Sequence, residues 1–201
     1  MRIKIYQPLA IHELGKRANQ EDSIYPIEGK ATEDDRLFLL CDGMGGHEHG
    51  EVASQSICKR LSSFLLQHAV ASDALAYAYE ELDKLAIAGD SRQMGTTLTL
   101  LYFHSNGCTA AHIGDSRIYH LRPSSHTILY KSRDHSLVYD LYQAGELTYE
   151  EMKTFPQKNV ITRAMIAGDR NHPKPDVIHI SDIQPGDYFY ICSDGMLEQM
   201  E

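Results

Sequence analysis

The chain has too little positive charge to attract a polyanion. Its 19 lysines and arginines are outnumbered by 28 acidic residues, which leaves a formal charge of -9 and a pI near 5.6. Nucleic acid and anionic membrane surfaces recruit Lys/Arg clusters that are missing here, so neither is expected as a partner. Four cysteines, Cys41, Cys58, Cys108 and Cys192, form no CxxC pair; that excludes a dense disulfide framework and points to reduced thiols in a cytoplasmic protein. No apolar run approaches the ~18 residues of a membrane span, and the opening stretch MRIKIYQPLAIHELGKR alternates like a strand instead of building the apolar core of a signal peptide. Internal repeats, low-complexity tracts and Ser/Gly linkers are also lacking, so the 201 residues read as a single domain with a real core. The motifs GxSxG, GxxxxGK[ST] and GxGxxG do not occur. Nor does an arginine follow any cysteine after five intervening residues, where His47, Phe64, Gly114 and Glu198 stand instead. A cysteine nucleophile beside a phosphate-cradling arginine is thereby excluded.

What is present is a mixture of short strands and helices. β-Branched or aromatic runs fall at 37–41, 97–103, 108–113, 117–121, 127–131, 177–180 and 187–192. The four from TLTLLYF to TILYK are joined by HSNG, DS and RPSSH, too little chain for crossover helices, and are expected to form one antiparallel meander. Helical spacing marks Glu51 to about Val70 and Asp73 to about Ala88. A second helical patch, SLVYDLYQAGELTYEEMKTFP, breaks at Gly145 and restarts at Thr148 with Glu151 three residues on, a capping-box pattern that Pro156 terminates. The pattern suits two packed sheets flanked by helices, or one sheet covered on one face.

Four acidic turns carry the chemistry. LFLLC runs into Asp42-Gly43, and Gly43, Gly45 and Gly46 let a main-chain carbonyl point the same way as the Asp42 carboxylate. Alone, this loop is either a Gly-rich strand-to-helix turn or a site for a hard cation such as Mg²⁺ or Mn²⁺, which takes oxygen ligands and keeps several waters. An EF-hand is excluded because Met44 and Gly46 occupy its third and fifth positions. DYFYIC likewise runs into Asp194-Gly195, AHIGDSRIYHL places Asp115 at a hairpin tip, and GKRANQEDS puts Arg17 ahead of Glu21-Asp22 in a segment too polar for a core strand. Each can be a solvated turn by itself. Together they supply several carboxylates and one arginine, a set suited to two-metal hydrolysis of a phosphate ester, with the arginine clamping the phosphate. His47 and His49 have no partner pair at zinc spacing and read as a solvated helix start, and His135 in RDHSLV sits just ahead of a helix N-terminus.

Taken in order, RANQEDS, CDGMGGHEHGEVAS, MGTTLTLLYF, AHIGDSRIYHLR, RDHSLV, NVITRA and CSDGM resemble the motifs of the metal-dependent protein phosphatases, the type 2C serine/threonine phosphatases, and in particular their compact bacterial members. The resemblance runs from about Gly15 to Met196, with Gln20 where the family has Asn. It implies an α+β fold, a four-layer α-β-β-α sandwich of two antiparallel sheets flanked by helices. It also implies hydrolysis of phosphoserine or phosphothreonine in phosphorylated proteins by in-line attack of a metal-bridged hydroxide. On this resemblance Asp42 bridges two Mn²⁺ or Mg²⁺ ions, the Gly43 carbonyl binds one of them and Asp194 completes the pair. Glu21, with Asp22 behind it, holds a metal directly or through water; Arg17 grips the substrate phosphate; and Asp115 with Asp194 holds a weaker third ion. The insert from about Arg133 to Asp176 resembles the family's flap beside the site.

Two departures stand out. Met44 occupies the place where some relatives carry a histidine general acid, so protonation of the leaving group falls to His47 or water. The family's closing Gly-Gly-x-Asp-Asn segment does not occur before Glu201, so the sandwich is expected to lack its C-terminal core strand, with an exposed sheet edge and one metal a ligand short. That departure motivates a rival expectation, a phosphoprotein-binding or regulatory module of the same fold.

Overall fold

The computed structural model of the chain describes residues 3–44, 49–67, 74–88 and 94–197. In chain order these form β1 (Asp22–Tyr25), β2 (Leu37–Met44), α1 (Gly50–Gln67), α2 (Ala74–Ala88), β3 (Gly95–Thr96), β4 (Leu98–His104), β5 (Gly107–Ile113), β6 (Arg117–Arg122) and β7 (Thr127–Lys131). After them come α3 (Leu137–Gln143), α4 (Tyr149–Thr154), β8 (Met165–Ile166), β9 (Asp176–Ile180), β10 (Tyr188–Cys192) and α5 (Asp194–Leu197). The strands make two antiparallel sheets, one of seven strands in the order β8-β3-β2-β4-β5-β9 with β1 on β2, and one of three in the order β10-β6-β7. The architecture is the expected α+β sandwich of two antiparallel sheets with flanking helices.

Burial follows from the patterns. β2 lies between β1 and β4 and is apolar along most of its length because both its faces are covered. One face meets the helices, where Ile57, Leu61 and Leu65 of α1 and Ala74, Ala78 and Leu82 of α2 recur every four residues or nearly so and bury against Leu37, Leu39 and Leu98. On β4 the alternation separates two cores: Leu98, Leu100 and Tyr102 face the helices, while Leu101 and Phe103 join Ile118, Phe189 and Ile191 between the sheets. Phe103 and Phe189 meet edge to face, with centroids 5.1 Å apart.

Three expectations are corrected. The four strands from TLTLLYF to TILYK do not form one meander: β4 pairs with β5 and β6 with β7, but β5 turns its other edge to β9 and the chain crosses to the second sheet through Gly114-Asp115-Ser116. Gly114 makes that corner, at φ +112 and so close to Thr97 that a Cβ would lie 2.5 Å from Thr97 Cγ2. Asp115 is therefore at a passage between sheets and not at a hairpin tip. Second, the alternating N-terminal stretch places Ile3 and Ile5 on the inter-sheet core, yet residues 3–21 form no strand, because alternation marks a two-faced segment without supplying a partner edge. Third, the polar segment holding Asp22 does become a strand, with Asp22 opposite Asp42.

Within residues 133–176 the segment 136–161 is tied off at its ends. Its neck is closed by a bridge between Ser136 and Ile161 and by the Thr162 N–H donating to the His135 carbonyl at 2.8 Å. Beyond it, Met165 and Ala167 bury in the helix-side core and β8 joins β3. Within the insert the expected capping box is formed, Thr148 Oγ1 accepting from the Glu151 N–H and Glu151 from the Thr148 N–H at 2.8 Å. Among the described residues no strand follows β10, and residues 198–201 lie outside them.

Candidate metal centre

The site grows from the end of β2. Because β3 and β4 pair with β2 in one register, broken only at Thr97, both threonines of GTT meet Asp42. Its N–H donates to Thr97 Oγ1 at 3.0 Å, and its carbonyl accepts the Thr97 N–H at 2.8 Å and the Thr96 hydroxyl at 3.0 Å. The main chain of Asp42 is thus fully satisfied and its side chain is left to the site. The next residue permits an approach of three backbones: a Cβ on Gly43 would fall 2.2 Å from the Gly50 carbonyl oxygen and 2.7 Å from that of Glu21. Glu21 uses that carbonyl to accept the Gly43 N–H at 3.0 Å and the Ser54 hydroxyl at 2.6 Å. The start of α1, the end of β2 and the approach to β1 are fixed together.

Other elements bring further carboxylates to Asp42. Asp22 arrives by register from β1 and accepts from Ser193 Oγ at 2.9 Å, which ties the turn holding Asp194 to β1. Asp115 arrives through the corner, where its neighbour Ser116 hydrogen-bonds Thr97 Oγ1 at 3.0 Å; one threonine therefore links the main chain of Asp42 to the Asp115 turn. The electrostatics record the convergence. Burial, and then the negative charges of Asp22, Asp194 and Asp115, push the Asp42 carboxyl up to about 9. Burial and then Asp194 push Asp115 up to about 7. Asp22 is raised by burial, against the opposing hydrogen bond from Ser193.

Four acidic side chains converging in one half-buried place, where Asp42 and Asp115 are pushed up by burial and by their neighbours' charge, are a costly arrangement for a protein alone. Asp115 Oδ1 is buried with no hydrogen-bond partner. Divalent cations remove both problems, since carboxylate oxygens of this kind are the ligands Mg²⁺ and Mn²⁺ prefer, and the residues present fit them.

Of the residues predicted from the sequence, Asp42, Asp115 and Asp194 are brought together, with Gly43 adjoining. Glu21 takes part through its main-chain carbonyl, and the carboxylate that joins the cluster from that pair is Asp22. Arg17 is exposed on a turn, its N–H donating to the Leu14 carbonyl at 3.3 Å, and makes no ion pair among the described residues. His47 lies outside the described residues, and His49 is exposed ahead of α1. Sequence reasoning did not find the hydroxyl braces Thr96, Thr97, Ser116 and Ser193. The available signal was positional: each lies beside an acidic turn or on the strand facing one.

Comparison with known proteins gives a consistent picture. The family model described as Protein phosphatase 2C matches residues 13–201. The serine/threonine protein phosphatase PstP of Mycobacterium tuberculosis is 36% identical over 192 residues, an alignment covering 90% of this chain and 34% of that protein; the chain thus spans about a third of its length. Protein phosphatase PhpP of Streptococcus pneumoniae is 35% identical over 190 residues, covering 90% and 74%. The crystal structure of PstP superposes with a TM-score of 0.74 at 34% identity, covering 89% of this chain and 74% of that one. The PstP catalytic domain in complex with two manganese ions gives 0.72 at 32% identity, covering 89% and 73%.

Proposed function

The chain belongs to the protein phosphatase 2C family, and from that premise we propose that it is a divalent-cation-dependent protein-serine/threonine phosphatase, acting on phosphoserine and phosphothreonine in phosphorylated proteins. The observation that carries the reading is the half-buried meeting of Asp22, Asp42, Asp115 and Asp194, in which burial and then the negative charges of the other three push the Asp42 carboxyl up. Asp42, the Gly43 carbonyl and Asp194 would hold one pair of ions, with Asp22 contributing from β1 and Glu21 from just ahead of it, and Asp115 with Asp194 would hold a third. Manganese in the PstP catalytic domain supports Mn²⁺ as one such ion. Bound there, Mn²⁺ or Mg²⁺ would activate water at neutral pH and neutralise the phosphoryl oxygens.

The chain's own residues prepare that chemistry. Because burial and the neighbouring acids push the Asp42 carboxyl up, cation binding there would be coupled to its deprotonation. The Thr96 and Thr97 hydroxyls hold the Asp42 main chain while this happens. Arg17, free of ion pairs among the described residues and exposed, is available to grip the substrate phosphate bidentately. Met44 offers no proton to the departing serine or threonine oxygen, which leaves that step to His47 or to water. We read residues 1–201 as one phosphatase-like domain with its flap inside 133–176. The four buried free thiols support a reducing, cytoplasmic setting, and among the described residues no helix is long and apolar enough to cross a membrane.

The test is turnover of p-nitrophenyl phosphate and of a phosphothreonine peptide in Mn²⁺. Asp42→Ala is expected to lower the rate by roughly a hundredfold or more, since the cations it holds supply several kcal/mol of transition-state stabilisation. Equal rates for the two proteins overturn the reading. Tight phosphopeptide binding without turnover by the unsubstituted chain would replace it with a phosphoprotein-binding module.

A further inference from the structure

Three residues before Asp115 on β5, a second polar group is buried. His112 and His135 stack with ring centroids 4.7 Å apart and planes within 9° of parallel, and Asp176 at the head of β9 lies 3.2 Å from His135 Nε2. Ligand atoms of the three come within 4.8 Å of one another, and His112 Nδ1 is buried without a partner, so a transition-metal site is the first thought. The hydrogen bonds decide against it. His135 Nδ1 accepts the Gly114 N–H at 3.0 Å; assigned from that bond, the proton of the neutral ring sits on Nε2, where it faces Asp176. A protonated nitrogen is no metal ligand. Nearly parallel stacked rings also do not aim their lone pairs at a common ion. The Arg163 guanidinium, 2.8 Å from Asp176 Oδ1, already supplies the positive charge that carboxylate needs.

What the group does is hold Gly114. The His135 main-chain N–H donates to the Gly114 carbonyl at 2.9 Å, and its ring accepts the Gly114 N–H at 3.0 Å. One residue thereby satisfies both backbone groups of the glycine that precedes Asp115. Gly114 needs this, because at φ +112 it turns the corner between sheets and glycine has the least intrinsic preference for any one conformation. The clamp is itself fixed: Asp176 orients the ring, Arg163 holds Asp176, and the Thr162 N–H holds the His135 carbonyl at 2.8 Å. We propose that His135 is a positioning residue for divalent-cation binding at Asp115, its ring setting the Gly114 backbone and through it the direction of the Asp115 carboxylate. This rests on the reading of Asp115 as a cation ligand.

Two variants separate this role from bulk stability. In His135→Asn the side-chain oxygen stands where Nδ1 stood and can take the Gly114 N–H, while the contact with Asp176 is lost. In His135→Gln the amide reaches the Nε2 position and the Gly114 bond is lost instead. Mn²⁺ binding to the full chain by titration calorimetry needs no turnover, and unfolding in chelator checks that each variant folds. At the site that Asp115→Asn removes, His135→Asn is expected to bind Mn²⁺ within about threefold of the unsubstituted chain and His135→Gln roughly tenfold or more weakly, the usual cost of losing an outer-shell support. Equal affinities for the two, or tighter binding by His135→Gln, overturn the proposal while leaving Asp115 a ligand. Unchanged Mn²⁺ binding by Asp115→Asn overturns both. Should His135→Gln not fold, Asp176→Asn takes its place: it is expected to weaken binding several-fold by loosening the ring, and unchanged affinity sinks the proposal.

Discussion

At the scale of single residues, the site is built as much from what is absent at Gly43 as from what is present at Asp42. Three backbones meet there, and a methyl group at Gly43 would overlap the carbonyl oxygens of Gly50 and Glu21. Gly43→Ala is expected to cost about 1–3 kcal/mol by overpacking, read by urea unfolding in chelator, and to weaken Mn²⁺ binding as the Asp42 turn shifts. Gly15→Ala, with nothing within 4 Å but φ +61, should cost about 1 kcal/mol and leave Mn²⁺ affinity unchanged. The DGMGG string made the need for a small residue legible in the sequence. It did not reveal which carboxylate of Glu21-Asp22 turns inward, because that follows from the register opposite Asp42, and the polar surroundings of Asp22 hid the strand. The hydroxyls of Thr97 and Ser193 were equally hidden, since their role exists only once distant segments meet.

At the scale of elements, local signals were read well and partner choice was not. The Thr148/Glu151 box was legible because capping is decided within one turn of chain. Thr148→Ala should cost about 1 kcal/mol, seen as faster hydrogen exchange in residues 149–154 with no change in turnover of small phosphate esters. The strands of the supposed meander were also located correctly, yet the β5 to β6 step was misread. A two-residue link between strands permits a hairpin, but β5 gains more by pairing with β9, which lies more than sixty residues on in the sequence, and only tertiary structure reveals that competitor. The misreading mattered, because the same step decides that Asp115 faces the other carboxylates.

At the scale of the whole molecule, the cluster sets how stability depends on pH. Asp42 and Asp115 are raised in the folded state from 3.8 to about 9 and about 7. For a raised acid the stabilising contribution is full below the unfolded value and is lost as pH climbs through the folded ones. The chelator-treated protein should therefore lose thermal stability between about pH 5 and 9, each kcal/mol lowering the midpoint by about 2–4 °C, and Mn²⁺ should restore more of it the higher the pH. The acid limb has the opposite origin. Asp187, held well below the usual carboxylate range chiefly by Arg122, supports the fold above its unfolded value and ceases to as pH falls. A stability of the chelated protein that is flat from pH 5 to 9 would contradict the placement of the four acids.

The sandwich has one more consequence. Asp22 and Asp42 ride on the seven-stranded sheet, Asp194 leaves the last strand of the three-stranded one, and Asp115 sits on the chain between them. Their spacing is thus a gauge of how the two sheets are seated, and the spacer is the Phe103–Phe189 contact in the layer between. Thinning that spacer with Phe189→Leu, remote in sequence from Asp22, Asp42 and Asp115, should weaken Mn²⁺ binding several-fold along with the expected loss of stability. Conversely, a cation bound there would act as a rivet through both plates, and filling the centre is expected to stiffen the sliding of one sheet over the other.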